Sequence, residues 1–104
     1  MENENLEITK DETPGSAKIT VKGHINSITA SALKKELEEA LKDGQISIVL
    51  NMSMVDYLCS TGIEVILNTY KDAMDAGGTV GIEEPSEHVR NLLQMIALEE
   101  LVIR

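Results

Sequence analysis

Residues Cys59-Ser60-Thr61-Gly62 set a thiol, two hydroxyls and a glycine between the apolar-looking segment 54–58 and a stretch of helically spaced apolar residues that begins at Ile63. That order predicts a strand that stops, a tight turn, and a helix whose first turn carries Ser60. The first amides of a helix have no intrahelical partner and bear the positive end of its dipole. A hydroxyl there can cap the helix or, once phosphorylated, offer a dianion to those amides. Two registers are open. In one, Thr61 caps the helix and Glu64 returns its carboxylate to the Thr61 amide, a capping box that leaves Ser60 free to face a kinase. In the other, Ser60 is the cap and Thr61 the first helical residue.

Other groups capable of chemistry are few. Cys59 at a helix start has the setting of a reactive thiolate, but Asp56 and Glu64 oppose one, and a free cysteine more often serves as a small buried hydrophobe. His24 and His88 are far apart, lack acids or cysteines at ligand spacing, and read as surface histidines instead of metal ligands. Asn26 reads first as a turn residue. No phosphate-cradling glycine loop, nucleophile elbow or Ser-His-Asp arrangement stands out. The chain therefore reads as a substrate of modification, not as an enzyme, with no catalytic residues and no cofactor.

The elements that must position Ser60 follow from periodicity. Leu6 and Ile8, then Ala17, Ile19 and Val21, alternate with polar neighbours around the turn-forming segment 11–15, which predicts a hairpin. Ala30, Leu33, Leu37, Ala40 and Leu41 mark a helix with Thr29 as its cap, Gly44 as its stop, and a solvated face of Lys34, Lys35, Glu38, Glu39 and Lys42. The short run Ile46, Ile48, Val49, Leu50 suits a central strand covered on both faces. Val65, Ile66, Tyr70, Ala73 and Met74 form the stripe of the next helix, which ends at Gly77-Gly78. A weaker strand follows at 79–82. The last helix starts near Ser86 with Val89, Leu92, Leu93 and Ile96 inward, and Leu101, Val102 and Ile103 either add a short terminal strand or pack on the core. The order β-β-α-β-α-β-α defines an α/β domain with a mixed sheet and flanking helices.

Composition narrows the partners. A chain of 104 residues with two tyrosines and no Phe or Trp must build one aliphatic core. A net charge of −9 repels nucleic acid and anionic lipid headgroups, and otherwise serves solubility. The polar, acidic residues Met1, Glu2, Asn3, Glu4 and Asn5 do not resemble a secretory signal, and no stretch is long enough to span a bilayer. With a single cysteine no internal disulfide can form, which suits a reducing cytoplasm.

The segment Cys59-Ser60-Thr61-Gly62-Ile63 resembles the signature of the anti-sigma factor antagonist family, the STAS domain, in which a strand leads into Asp-Ser-Ser/Thr-Gly-Leu at a helix start. Further matching features are Gly23-His24-Ile25-Asn26, Thr29-Ala30, Ala76-Gly77-Gly78 and Pro85-Ser86, so the resemblance spans nearly the whole chain. It implies a single STAS-like domain over residues 1–104. It further implies that Ser60 is the phospho-acceptor and that Asn26, Asp56, Cys59, Thr61, Gly62 and Glu64 belong to the partner-binding surface. The implied partners are an anti-sigma factor with serine kinase activity, bound only by the unphosphorylated form, and a phosphatase, all in the cytoplasm. Cys59 and Asn26 depart from acids that the family usually or often carries, and Glu64 replaces a frequent glycine. The alternative implied function is an accessory or scaffold module of a stress-signalling or transport complex that works without phosphorylation.

Overall fold

Turn residues and periodicity produce four strands and three helices: β1 (Leu6–Thr13), β2 (Ser16–Ile25), α1 (Thr29–Lys42), β3 (Ser47–Leu58), α2 (Ser60–Asp75), β4 (Thr79–Glu83) and α3 (Glu87–Met95). The structure is a computed structural model that describes residues 6–98 and 101–102; the acidic residues 1–5 and Ile103 lie outside the described residues. Pro14-Gly15 alone joins β1 to β2, with Gly15 at φ +82°, the left-handed value that the third residue of a type II turn requires. Asp11, Glu12 and Thr13 therefore belong to β1, paired with Lys18, Ala17 and Ser16, and not to the turn as expected.

The sheet order is β1-β2-β3-β4, antiparallel between β1 and β2 and parallel at the other two steps. Each parallel step needs a crossover, which α1 and α2 provide. Along β2 the buried Ala17, Ile19, Val21 and Ile25 alternate with exposed Lys18, Lys22 and His24. One face of the sheet is thus packed under helices while the face of β2 that carries those polar residues stays open. The packed face meets Leu33 and Leu37 of α1, Val65 and Ile66 of α2, and Val89 and Leu93 of α3 in one aliphatic cluster. Burying each such side chain contributes about 1.5–3 kcal/mol, offset by the loss of chain entropy.

β3 lies at the centre but extends far beyond the run that the sequence suggests, to twelve residues. Its register against β2 shifts twice, between Thr20 and Lys22 and between Gly23 and His24. These irregularities change the spacing of buried residues from two, at Ile48, Leu50 and Met52, to three, at Val55 and Leu58. Met54 and Tyr57 are consequently exposed although the segment looks apolar, and Val49 is only half-buried, so β3 is not covered on both faces. In α2 the inward stripe is Gly62, Val65, Ile66, Thr69 and Ala73, which turns Met74 outward. Ile96 also lies outside its expected place, as the C-cap of α3 before Ala97 reverses the chain at φ +59°. Of the two readings open for the C-terminal apolar residues, Leu101 packs in the core while Val102 makes one parallel bridge to Ile82.

Candidate functional site

Strands β2 and β3 finish together: Ile25 faces Leu58 in register, and the Cys59 amide donates to the Ile25 carbonyl at 2.9 Å. Asn26 and Ser60 therefore leave the sheet from neighbouring strand ends, and each leads into a helix. The opening of α1 is secured by Asn26, whose side-chain Oδ1 accepts from the amides of Ile28 and Thr29, both at 2.9 Å. Thr29, expected to be the cap, is instead the first helical residue and is buried. Its hydroxyl accepts from the Asn26 amide at 2.8 Å and donates to the His24 carbonyl at 2.7 Å. The turn role of Asn26 is thus what its geometry displays, with its carbonyl committed to α1.

The start of α2 differs from both expected registers. The cap position falls on Cys59, extended at φ −89° and ψ 172°, with no side-chain cap bond, and the first helical bond runs from the Ile63 amide to the Cys59 carbonyl at 3.1 Å. Ser60 and Thr61 are the first and second helical residues, and the capping box between Thr61 and Glu64 is not formed. The physical consequence is that the amides of Ser60, Thr61 and Gly62 keep their donors free of intrahelical carbonyls, beside an exposed serine hydroxyl. A phosphoryl group on Ser60 would add about −1.5 to −2 charge at neutral pH next to those donors.

The remaining candidate residues occupy three different places. Gly62 is buried, and a Cβ built there would lie 2.6 Å from Ile25 Cγ2 and 2.7 Å from Leu58 Cδ1, so it is a point of close packing and not an exposed contact. Thr61 and Glu64 line a groove of about 270 Å³ between α2 and α1, opposite Ser31, Lys34 and Glu38. Glu64 is also one helical turn from Ser60, on the same face. Asp56 pairs with His24, Oδ1 to Nδ1 at 2.7 Å.

Sequence reasoning missed the ring row beside this turn. Tyr57 stands between the two histidines, its ring centroid 6.3 Å from that of His24 and 5.7 Å from that of His88. His88 is half-buried and not a surface residue, because its Nε2 accepts the Leu58 amide at 3.1 Å across thirty positions of sequence. Ile28, two positions after Asn26, is 74 % exposed. Among the described residues no three His, Cys, Asp or Glu side chains converge as metal ligands.

The mixed β-β-α-β-α-β-α sheet domain matches the STAS architecture, and the chain belongs to the STAS domain family, matching the family model described as "Mlab, STAS domain" over residues 8–103. Its similar relatives are named as regulators of sigma factors. BtrV of Bordetella bronchiseptica, provisionally named an anti-sigma factor antagonist, is 28 % identical over 90 residues, covering 86 % of this chain and 78 % of that protein. The anti-sigma F factor antagonist of Paenibacillus polymyxa is 26 % identical over 99 residues, covering 94 % and 85 %. In structure the chain resembles the anti-sigma factor antagonist SpoIIAA in its unphosphorylated form, with a TM-score of 0.83 at 17 % identity, covering 93 % of this chain and 86 % of that one. The phosphorylated form of the Bacillus SpoIIAA gives 0.76 at 16 % identity, with coverage of 93 % and 89 %. No helix among the described residues is long and apolar enough to cross a membrane.

Proposed function

We propose that this protein is an anti-sigma factor antagonist of a partner-switching pathway. Its unphosphorylated form binds an anti-sigma factor with serine kinase activity; phosphorylation at Ser60 ends that binding, and a phosphatase restores it. The observation that carries the reading is the exposed Ser60 hydroxyl at the first position of α2, beside amides that no intrahelical carbonyl satisfies. Relatives named as anti-sigma factor antagonists, and the existence of SpoIIAA in both phosphorylation states, support it.

Release follows from electrostatics. A partner packed over the turn would meet a dianion one helical turn from Glu64, and a loss of about 3 kcal/mol weakens binding by about a hundredfold. Asn26, Cys59, Thr61 and Glu64 would border that contact, Asp56 would add negative charge near it, and Gly62 would support it from within. The protein is here the substrate of the kinase and contributes no catalytic group of its own.

The test is capture of binding proteins by wild-type and Ser60→Asp protein in the presence of adenine nucleotide, followed by mass spectrometry. A kinase of the anti-sigma type retained by wild type and lost with Ser60→Asp is the expected result, and Ser60→Ala should accept no phosphate from it. One observation favours a second reading, an accessory module indifferent to phosphorylation: Cys59 supplies no acid beside Ser60. Equal capture of the same transport or scaffold proteins by wild type and Ser60→Asp would support that reading and sink the first.

A further inference from the structure

β4 pairs with β3 only along Ser47–Asn51, so among the described residues no strand covers that edge of the second half of β3. The segment entering α3 covers it instead. The Ser86 amide donates to the Met52 carbonyl at 3.0 Å, the Ser86 hydroxyl donates to the Val55 carbonyl, and His88 Nε2 accepts from the Leu58 amide at 3.1 Å. Ser86 is held in turn as the cap of α3, its Oγ accepting from the Val89 amide at 3.2 Å, and Val89 is fully buried. His88 is therefore presented by an anchored helix end. Leu58 is the last residue of β3, and Ser60 follows two positions later. An imidazole nitrogen that accepts an amide proton is unprotonated, so this contact belongs to the neutral ring with its proton on Nδ1.

We propose that His88 is the positioning residue of the Ser60 turn: its neutral imidazole holds the last amide of β3 and thereby fixes where α2 begins and where the Ser60 hydroxyl stands. From the other side Ile25 holds the turn through the Cys59 amide. The two successive amides are thus clamped in opposite directions, one by β2 and one by α3. The role of the clamp in phosphorylation rests on the reading of Ser60 given above; the clamp itself does not.

Amide hydrogen exchange of the full chain, followed by NMR in wild type, His88→Ala and His88→Gln, separates positioning from general stability. Glutamine reaches about as far as the imidazole Nε2 and offers Oε1 as acceptor. His88→Ala should exchange about tenfold faster at Leu58 and through the first turn of α2, the size expected for a stranded amide. The core of α1 should stay at wild-type rates in both variants, and His88→Gln should restore protection of the turn. Uniform acceleration throughout the protein, unchanged exchange at Leu58 in His88→Ala, or failure of glutamine to rescue would each overturn the proposal. With the kinase recovered in the capture experiment, His88→Ala should be phosphorylated about tenfold more slowly than His88→Gln. Exchange as expected with equal phosphorylation of both variants would overturn the effect on the reaction. Absence of any kinase would refute the reading of Ser60 while the exchange result still decides the clamp.

Discussion

A methyl group at residue 62 would need to share space with Ile25 Cγ2, 2.6 Å away, and Leu58 Cδ1, 2.7 Å away, and both side chains are themselves buried. Gly62→Ala should therefore destabilise the fold by about 1–3 kcal/mol, read as a lower urea midpoint, because the strain falls on well-packed aliphatic groups. An unchanged midpoint would show that the turn gives way without cost. Thr61→Ala, whose hydroxyl makes no capping bond, should shift the midpoint far less, by about 0.5 kcal/mol at most. These two neighbours look equally important in the sequence, where a hydroxyl and a glycine at a helix start both signal function. Their burial separates them: one fills a joint between strand ends, and the other borders a groove.

Helix starts are where individual side chains control an element, and the two in this protein are built differently. At the start of α1 the amides of Ile28 and Thr29 both find a side-chain partner in Asn26 Oδ1, whereas α2 begins at Cys59 with no side-chain cap bond. Asn26→Ala should cost about 1 kcal/mol, and Asn26→Asp should retain most of that stability through the same two amides; urea unfolding of the three proteins provides the measurement. Equal loss in both variants would assign the role to the Asn26 Nδ2 group and not to its Oδ1. The bare start of α2 leaves donors available at the residue proposed for phosphorylation, whereas a capping box would have occupied them. That contrast was not legible in the sequence. Ser60, Thr61 and Glu64 satisfy the pattern of a cap, and it is long-range hydrogen bonds at the end of β3, from Cys59 to Ile25 and from Leu58 to His88, that accompany a helix start earlier than either expected register.

Across the whole sheet, Lys18 on β2 and Glu83 on β4 meet over the central strand at 2.7 Å, with Asn51 of β3 donating to the same carboxylate oxygen at 3.0 Å. The hydrogen bond from Lys18, then that from Asn51, holds the Glu83 carboxyl below the usual carboxylate range. A group whose folded value is lowered adds stability above its unfolded value, about 4.3 for glutamate, and loses it as pH falls through the lower folded value. Between about pH 5 and pH 3 the urea midpoint of wild type should fall more steeply than that of Glu83→Gln; parallel curves would show that the contact adds nothing. The sequence by itself determined the element order, the mixed α/β class, the aliphatic core and the family, because each rests on local periodicity, turn residues or a contiguous motif. Gly15, Gly44 and Gly77 take positive φ where turns or stops were expected. Only the tertiary structure decided the length and bulges of β3, the first residue of α2, and the meeting of His24, Tyr57 and His88. Those features depend on pairings between residues far apart in the chain, and a linear pattern does not encode which strand edge a later helix will cover.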